Sequence, residues 1–355
     1  MNFCSDNVVG ANAEILAALV EAAKGDVASY GHDIYTARLE QKLAEIFETK
    51  LAVFPVATGT AANALSLAAL APPWGAVYAH QDAHILVDEC GAPEFYTAGA
   101  KLMGLSGTHG KITADTVATA LIHSDKDNIH HNQPAAVSLS QATECGTVYT
   151  PAEIGAIDEV ARSHGLPLHM DGARFANALV KLKCSPAEAT WKSGVDILSF
   201  GGTKNGALMA EAIVVFRLDL AETLAYRRKR AGHLVSKQRF ISAQMCAYLD
   251  NDLWLNNARH ANEQAARLAK GLASISGLQL LYPVEANEVF VNLPTAVRAT
   301  LESAGFKFYP WGPQTVEGGA IRLVTSFCTD GKSVDSFIEA TRAAFLQTNR
   351  IAGAA

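Results

Sequence analysis

Two short apolar runs, each closed by a residue of well-defined chemistry and joined by one helical segment, constrain this chain more than any other feature. Residues 166–171 read as a buried strand ending at Asp171, 174–182 as a helix, and 195–200 as a second strand running into Gly201-Gly-Thr-Lys204. Parallel strands need a crossover of a dozen or more residues, and such crossovers are right-handed. Asp171 and Lys204 are therefore expected at the same edge of a parallel sheet, where open α/β folds bind ligands.

A lysine amine condenses with an aldehyde, and a carboxylate keeps a pyridine nitrogen protonated so that the ring accepts electrons. The pair suits pyridoxal phosphate (PLP). Taken singly, an Asp at a strand end is more often a helix cap and a Lys after two glycines more often a solvated loop residue. The flanking Gly201, Gly202 and Gly206 tip the balance. They let a bulky ring approach the backbone, at an entropic cost that an ordinary loop has no reason to bear.

With 355 residues, 49% of them apolar, the chain can fill one large and one smaller core. Its net charge is −6, and its basic residues are scattered except for Arg227-Arg-Lys-Arg230, which closes a predicted helix where cations suit the dipole. No basic face for nucleic acid is expected. The longest apolar stretch, 64–79, is interrupted by Ser66, Pro72, Pro73 and Gly75, so no membrane span is expected. The start of the chain lacks the basic and apolar regions of a signal peptide. Six cysteines, at 4, 90, 145, 184, 246 and 328, neither form Cys-x-x-Cys pairs nor cluster with histidine. Reduced thiols, no metal site and a cytoplasmic location follow as expectations.

Strand and helix readings alternate along most of the chain, which predicts an α/β fold with a mostly parallel sheet. Thr150-Pro-Ala-Glu153 is a capping box opening a helix that ends at Gly165, and Ser185-Pro-Ala-Glu188 repeats it. Residues 51–56 read as a strand, followed by an alanine-rich helix from the next glycine. Beyond 236 come long helices, one ending near Gly277, then strands at 278–284, 287–293, 306–309 and 320–326 and helices at 295–304 and 333–347. This predicts a major domain over 1–245 and a smaller α/β domain over 246–355.

Thr58-Gly-Thr60, between an apolar strand and a helix, reads as a phosphate cradle, although Gly-Thr taken singly is a common turn dipeptide. His84 follows the strand reading at 76–79, and, as one of eleven histidines, decides nothing alone. His169 shares the strand face of Asp171, which suggests that it fixes that carboxylate. Arg174 opens the next helix, within reach of the same ligand. Arg322 alternates with apolar neighbours on a predicted strand, so its charge needs a partner, either a substrate carboxylate or a buried Asp or Glu.

Ser5-Asp6-Asn7, Tyr30-Gly-His-Asp33, Thr58-Gly-Thr-Ala-Ala-Asn63, Ala83-His84, His169-Met-Asp-Gly-Ala-Arg174, Lys204 and Ile321-Arg-Leu-Val-Thr325 occur in the order and approximate spacing of the low-specificity L-threonine aldolases. The resemblance spans essentially the whole chain. It implies the aspartate-aminotransferase-like fold, type I, of PLP enzymes, and cleavage of L-β-hydroxy-α-amino acids to glycine and an aldehyde. By the same resemblance Lys204 would carry PLP as an imine, Asp171 would pair with the pyridine nitrogen, and His84 would stack on the ring. Gly59 and Thr60 would bind the phosphate, Arg174 would contact the ring hydroxyl or the substrate carboxylate, and Ser5 with Arg322 would grip that carboxylate. Homodimers or homotetramers with shared sites are implied, with Lys229, Lys237 or Arg239 reaching the phosphate from a neighbouring subunit.

Many threonine aldolases carry Glu-Asn-Thr-His-Asn where this chain reads Ser-Gln-Ala-Thr-Glu144, so Thr143 or Glu144 stands in place of their histidine. The pattern resembles the branch that includes phenylserine aldolases. It leaves His84 as the expected acceptor of the β-hydroxyl proton, with Glu144 and His32 next. The rival readings are an aminotransferase or β-eliminating lyase on the same fold and, outside catalysis, a PLP-fold binding protein. Retention of every residue the chemistry needs argues against the last.

Overall fold

The computed structural model describes residues 1–352. Its large sheet has seven strands, β1 (Ala52–Val56), β2 (Gly75–His80), β3 (Lys101–Leu105), β4 (Gln133–Ser140), β5 (Leu168–Gly172), β6 (Ile197–Gly201) and β7 (Glu211–Val215). They lie in the order β1-β7-β6-β5-β4-β2-β3. All neighbours are parallel except at β7, which runs antiparallel to both β1 and β6. The connection 202–210 is too short for a parallel crossover, so β7 returns beside β6.

Strands β2, β5, β6 and β7 are buried at every position, as expected where helices cover both faces. On one face Leu39, Phe47, Phe175, Phe200, Tyr248 and Trp254 pack together, with Phe200 edge-on to Trp254 at 5.7 Å. On the other, Ala62 and Leu65 of the helix Gly59–Leu70 pack against Phe54, Ile197 and Ile213. No helix of the described residues is long and apolar enough to cross a membrane.

A second sheet, β8 (Glu288–Pro294), β9 (Tyr309–Gln314) and β10 (Gly318–Val324), is antiparallel with β10 central. The helices Thr295–Ser303 and Gly331–Ala352 cover it, with Val291, Leu301, Ile321, Leu323 and Phe337 in its core. The amino-terminal segment belongs here too. Phe3 donates to the Lys307 carbonyl and accepts from Val324, at 2.8 and 2.9 Å, and its ring meets Phe337 at 5.3 Å.

Several elements differ from expectation. The strand read at 278–284 contributes only a bridge between Leu280 and Val291, because Pro283 has no donor for a ladder. That read at 306–309 begins instead at Tyr309. Ser185 and Glu188 do make reciprocal capping bonds, but the segment stays a turn and Thr190 leaves helical space at φ −134°, ψ −108°. Residues 245 and 246 both fall inside the helix Arg239–Leu249, whose Ile241, Met245, Tyr248 and Leu249 join the large core. The next helix, Leu253–Ala273, passes from one core to the other: Trp254 and Ala258 pack in the first, Leu268 and Leu272 in the second.

Candidate active site

A cavity of about 970 Å³ opens between the carboxyl edge of the large sheet and the three-stranded sheet. Ser5, Gly59, Thr60, His84, Asp171, Arg174, Lys204 and Arg322 all line it. Lys229, Lys237 and Arg239 do not line it in this chain, nor does His32.

Asp171 stands one residue from the end of β5. Its Oδ2 accepts from Asn63 Nδ2 at 2.8 Å and its Oδ1 from the Ala173 N–H at 3.0 Å, so the carboxylate is held from both sides. His169 does not do this, contrary to expectation. Strand pairing sets it opposite Ser138, and its ring spans from Ser138 Oγ at 2.8 Å to Ser199 Oγ at 3.0 Å. Burial pushes its pKa down to about 4, which leaves a neutral imidazole tying three strands together.

Lys204 lies in the single turn Thr203–Asn205 after β6. Asn205 anchors that turn, donating to Tyr248 Oη and the Trp254 carbonyl, each at 2.8 Å. Gly201 is needed because a Cβ there would sit 2.6 Å from the Ala173 oxygen, where the ends of β5 and β6 press together. Gly206 has φ +114° and lies against Asn12, a position no side chain could share. Behind the turn, Glu211 accepts from the Gly202 N–H at 3.0 Å, and burial raises its pKa to about 7.

Thr58 caps the helix Gly59–Leu70, accepting from Ala61 N–H at 3.1 Å. The amides of Gly59 and Thr60 lie in the first turn, where no intrahelical acceptor exists, and the positive end of the dipole faces the cavity. The space beside Gly59 is open, with no atom within 4 Å of where a Cβ would be. An anionic group fits there.

His84 begins the one-turn helix His84–Val87, and its Nδ1 lies 2.9 Å from Glu89 Oε1. That oxygen also accepts from Asn63 Nδ2 at 2.8 Å, so a single amide connects Glu89 with Asp171. The bond to Glu89 raises the His84 pKa, while burial pushes that of Glu89 up as well. Both shifts mean that the pair keeps its shared proton to higher pH.

Arg174 is gripped by Asp6, through Nε at 2.8 Å and Nη2 at 3.1 Å, and meets Glu288 at 3.3 Å. Arg322 lies 3.9 Å from the other Glu288 oxygen and donates to the Cys4 carbonyl at 3.3 Å. Both guanidiniums thus already face a protein carboxylate, while Arg322 still borders the cavity beside Trp311. Strand β4 stops at Ser140, and the turn beyond it separates the two alternatives at 143 and 144. Thr143 bonds to Thr147 at 2.8 Å, whereas Glu144 lines the cavity.

The roles of Asn63 and Asp6, and the presence of Glu89, Glu211 and Glu288, were not apparent from sequence. For the two strand carboxylates a signal existed: Glu211 and Glu288 each begin an otherwise apolar run, the argument that singled out Arg322.

A model of the beta-eliminating lyase family matches residues 2–296. Over 328 residues, 92% of this chain and 93% of the relative, the sequence is 46% identical to a low specificity L-threonine aldolase of Pseudomonas aeruginosa. It is 42% identical to that of Pseudomonas sp. strain NCIMB 10558 over the same shares. The chain belongs to the threonine aldolase group of the beta-eliminating lyase family. A threonine aldolase structure from Leishmania major superposes with this threonine aldolase family member at TM-score 0.91 and 29% identity, covering 96% of this chain and 98% of that one. Serine palmitoyltransferase of Sphingomonas wittichii, 15% identical, shares the fold alone, with TM-score 0.73 over 98% of this chain and 88% of that one. The fold is the expected type I arrangement of PLP enzymes. An amine, a doubly held carboxylate and an open helix N-terminus around one cavity fit that cofactor.

Proposed function

We propose that this threonine aldolase family member is a PLP-dependent lyase that cleaves the Cα–Cβ bond of L-β-hydroxy-α-amino acids, releasing an aldehyde and glycine. The observation that carries this reading is the convergence of Lys204, Asp171 and the Gly59–Leu70 helix N-terminus on one cavity that Arg322 also borders. PLP, when bound, supplies the sink for the electron pair of the broken bond.

The chain's own residues do the rest. Lys204 would hold the cofactor through its amine. Asp171, fixed by Asn63 and Ala173, would keep a proton on the ring nitrogen. Gly59 and Thr60 would hold the phosphate through backbone donors, and His84 would pack against the ring. Ser5 and Arg322 orient the substrate carboxylate, with Glu288 balancing Arg322 until that carboxylate arrives. Arg174, locked by Asp6, supports the same wall. Lys237 and Arg239 would reach the phosphate from a second subunit of a homodimer or homotetramer in the cytoplasm.

The test is a panel of threonine, allo-threonine and phenylserine given to purified protein. Stoichiometric glycine and aldehyde are expected, and borohydride reduction should fix the pyridoxyl group on Lys204. Conversion of the cofactor to its amine form in place of aldehyde release would identify an aminotransferase instead.

A further inference from the structure

Cleavage requires an acceptor for the β-hydroxyl proton. Most acidic groups of the cavity are already engaged. Asp171 is held by Asn63 and Ala173, Glu288 lies between two arginines, Glu211 bonds to the Gly202 amide, and Glu89 is shared by His84 and Asn63. Asp82 and Asp88 are exposed at the rim.

Glu89 also keeps a buried oxygen without a partner, but Glu144 does so without an imidazole or guanidinium bound to it. Its Oε1 accepts from the His84 backbone N–H at 2.9 Å and from Ser140 Oγ at 2.6 Å. Its Oε2 is buried without a partner, on a side chain that lines the cavity. Two donors on one oxygen fix the carboxyl plane and leave the other oxygen free to receive a proton. His84 is poorly placed to compete, because its Nδ1 is engaged by Glu89 and its imidazole is assigned to one face of the cofactor ring.

We infer that Glu144, and not His84, takes the β-hydroxyl proton. The assignment rests on the lyase reading above. The hydroxyl proton passes to Glu144 Oε2, the O–H pair becomes the carbonyl bond of the aldehyde, and the Cα–Cβ pair stays with Cα. Glu144 releases its proton to water as the aldehyde leaves, and Cα takes one back, so the reaction is proton-neutral. Burial sets the Glu144 pKa at about 7, suited to a base that must also let the proton go. That value already includes a smaller push from the Asp171 charge. The nearby Arg174 is neutralised by Asp6 and Glu288, and Cys145 and Tyr149 stay uncharged because burial raises both.

Glu144→Gln keeps an oxygen for the His84 amide and Ser140. The holoenzyme of this variant should retain its cofactor band and exchange the glycine α-proton within about 3-fold of wild type, while phenylserine cleavage falls ~10²–10⁴-fold. Glu144→Asp, with its carboxyl set back, should recover part of the lost rate. Infrared difference titration of the wild-type holoenzyme should show a carboxyl ionising near neutrality that Glu144→Gln lacks. Cleavage by Glu144→Gln within about 3-fold of wild type would overturn the assignment alone, as would exchange that falls in parallel with cleavage or an unchanged infrared band. A wild-type enzyme that cleaves nothing in the panel would overturn the lyase reading and this assignment together.

Discussion

Asp171 and His169 point to the same face of β5, yet their environments divide the work between them. Asp171 receives two donors at the cavity, so Asp171→Asn keeps the size of the side chain, removes the charge that holds the ring proton and turns one of the two acceptors into a donor. Turnover should fall ~10³-fold, about 4 kcal/mol of transition-state stabilisation, with cofactor still bound. A variant with near-full rate would show that Asp171 is not the ring partner. His169 is held neutral, its pKa moved from 6.5 to about 4. Between those values the unfolded chain binds the extra proton and the folded one does not. Stability therefore falls as pH drops through that window, by about 3 kcal/mol in all. Urea midpoints measured stepwise across the window should show this slope flattened in His169→Gln.

At the scale of elements, the site depends on where strands stop. The ends of β5 and β6 approach closely enough that Gly201 touches Ala173, and this contact brings the Asp171 and Lys204 turns to one cavity. Gly201→Ala would drive a methyl group into the Ala173 carbonyl and push the turn aside. A loss of about 1–3 kcal/mol is expected, since overpacking at a rigid contact has that cost. Turnover should drop more than stability does, because Lys204 is three residues away; thermal melts and steady-state rates on the same preparation separate the two. The stop of β4 at Ser140 matters in the same way. Had the strand continued through residue 144, alternation would have put Thr143 and Glu144 on opposite faces with no turn to aim either.

For the whole molecule, the amino-terminal segment joins the helix Leu253–Ala273 in tying the two cores together. Phe3 is buried in the small core against Phe337, Asp6 grips Arg174 of the large domain, and Ser5 between them lines the cavity. Phe3→Ala should cost about 3–5 kcal/mol of stability, as expected for a fully packed aromatic ring. Because Ser5 and Asp6 follow in the chain, the Michaelis constant should rise as well, while the Lys204 imine remains. Denaturation curves and substrate titrations of this variant check both effects. A loss of stability with unchanged substrate affinity would show that the small core holds the segment without shaping the site.

How much was legible in sequence follows from the range of the forces involved. Strand–helix–strand patterning, glycines at forced turns and a polar residue at each strand end are local signals. They were enough to predict the parallel sheet and to single out Asp171, Lys204, Gly59 and Thr60 for one cavity. Position along the predicted helix and strand singled out Arg174 and Arg322, the resemblance added Ser5 and a role for His84, and the cavity includes all four. What sequence missed joins groups far apart in the chain. Asn63 reaches Asp171, Asp6 reaches Arg174, and Glu288 stands between two arginines. Such pairings leave no periodicity, because a buried charge is stabilised by whatever the fold brings within a few ångströms and not by its neighbours in sequence. The same reason explains the error over His169, whose partners lie across the sheet on β4 and β6. Sequence alone determined the fold and the residues able to do the chemistry; only tertiary packing decided which partners each carboxyl and imidazole meets.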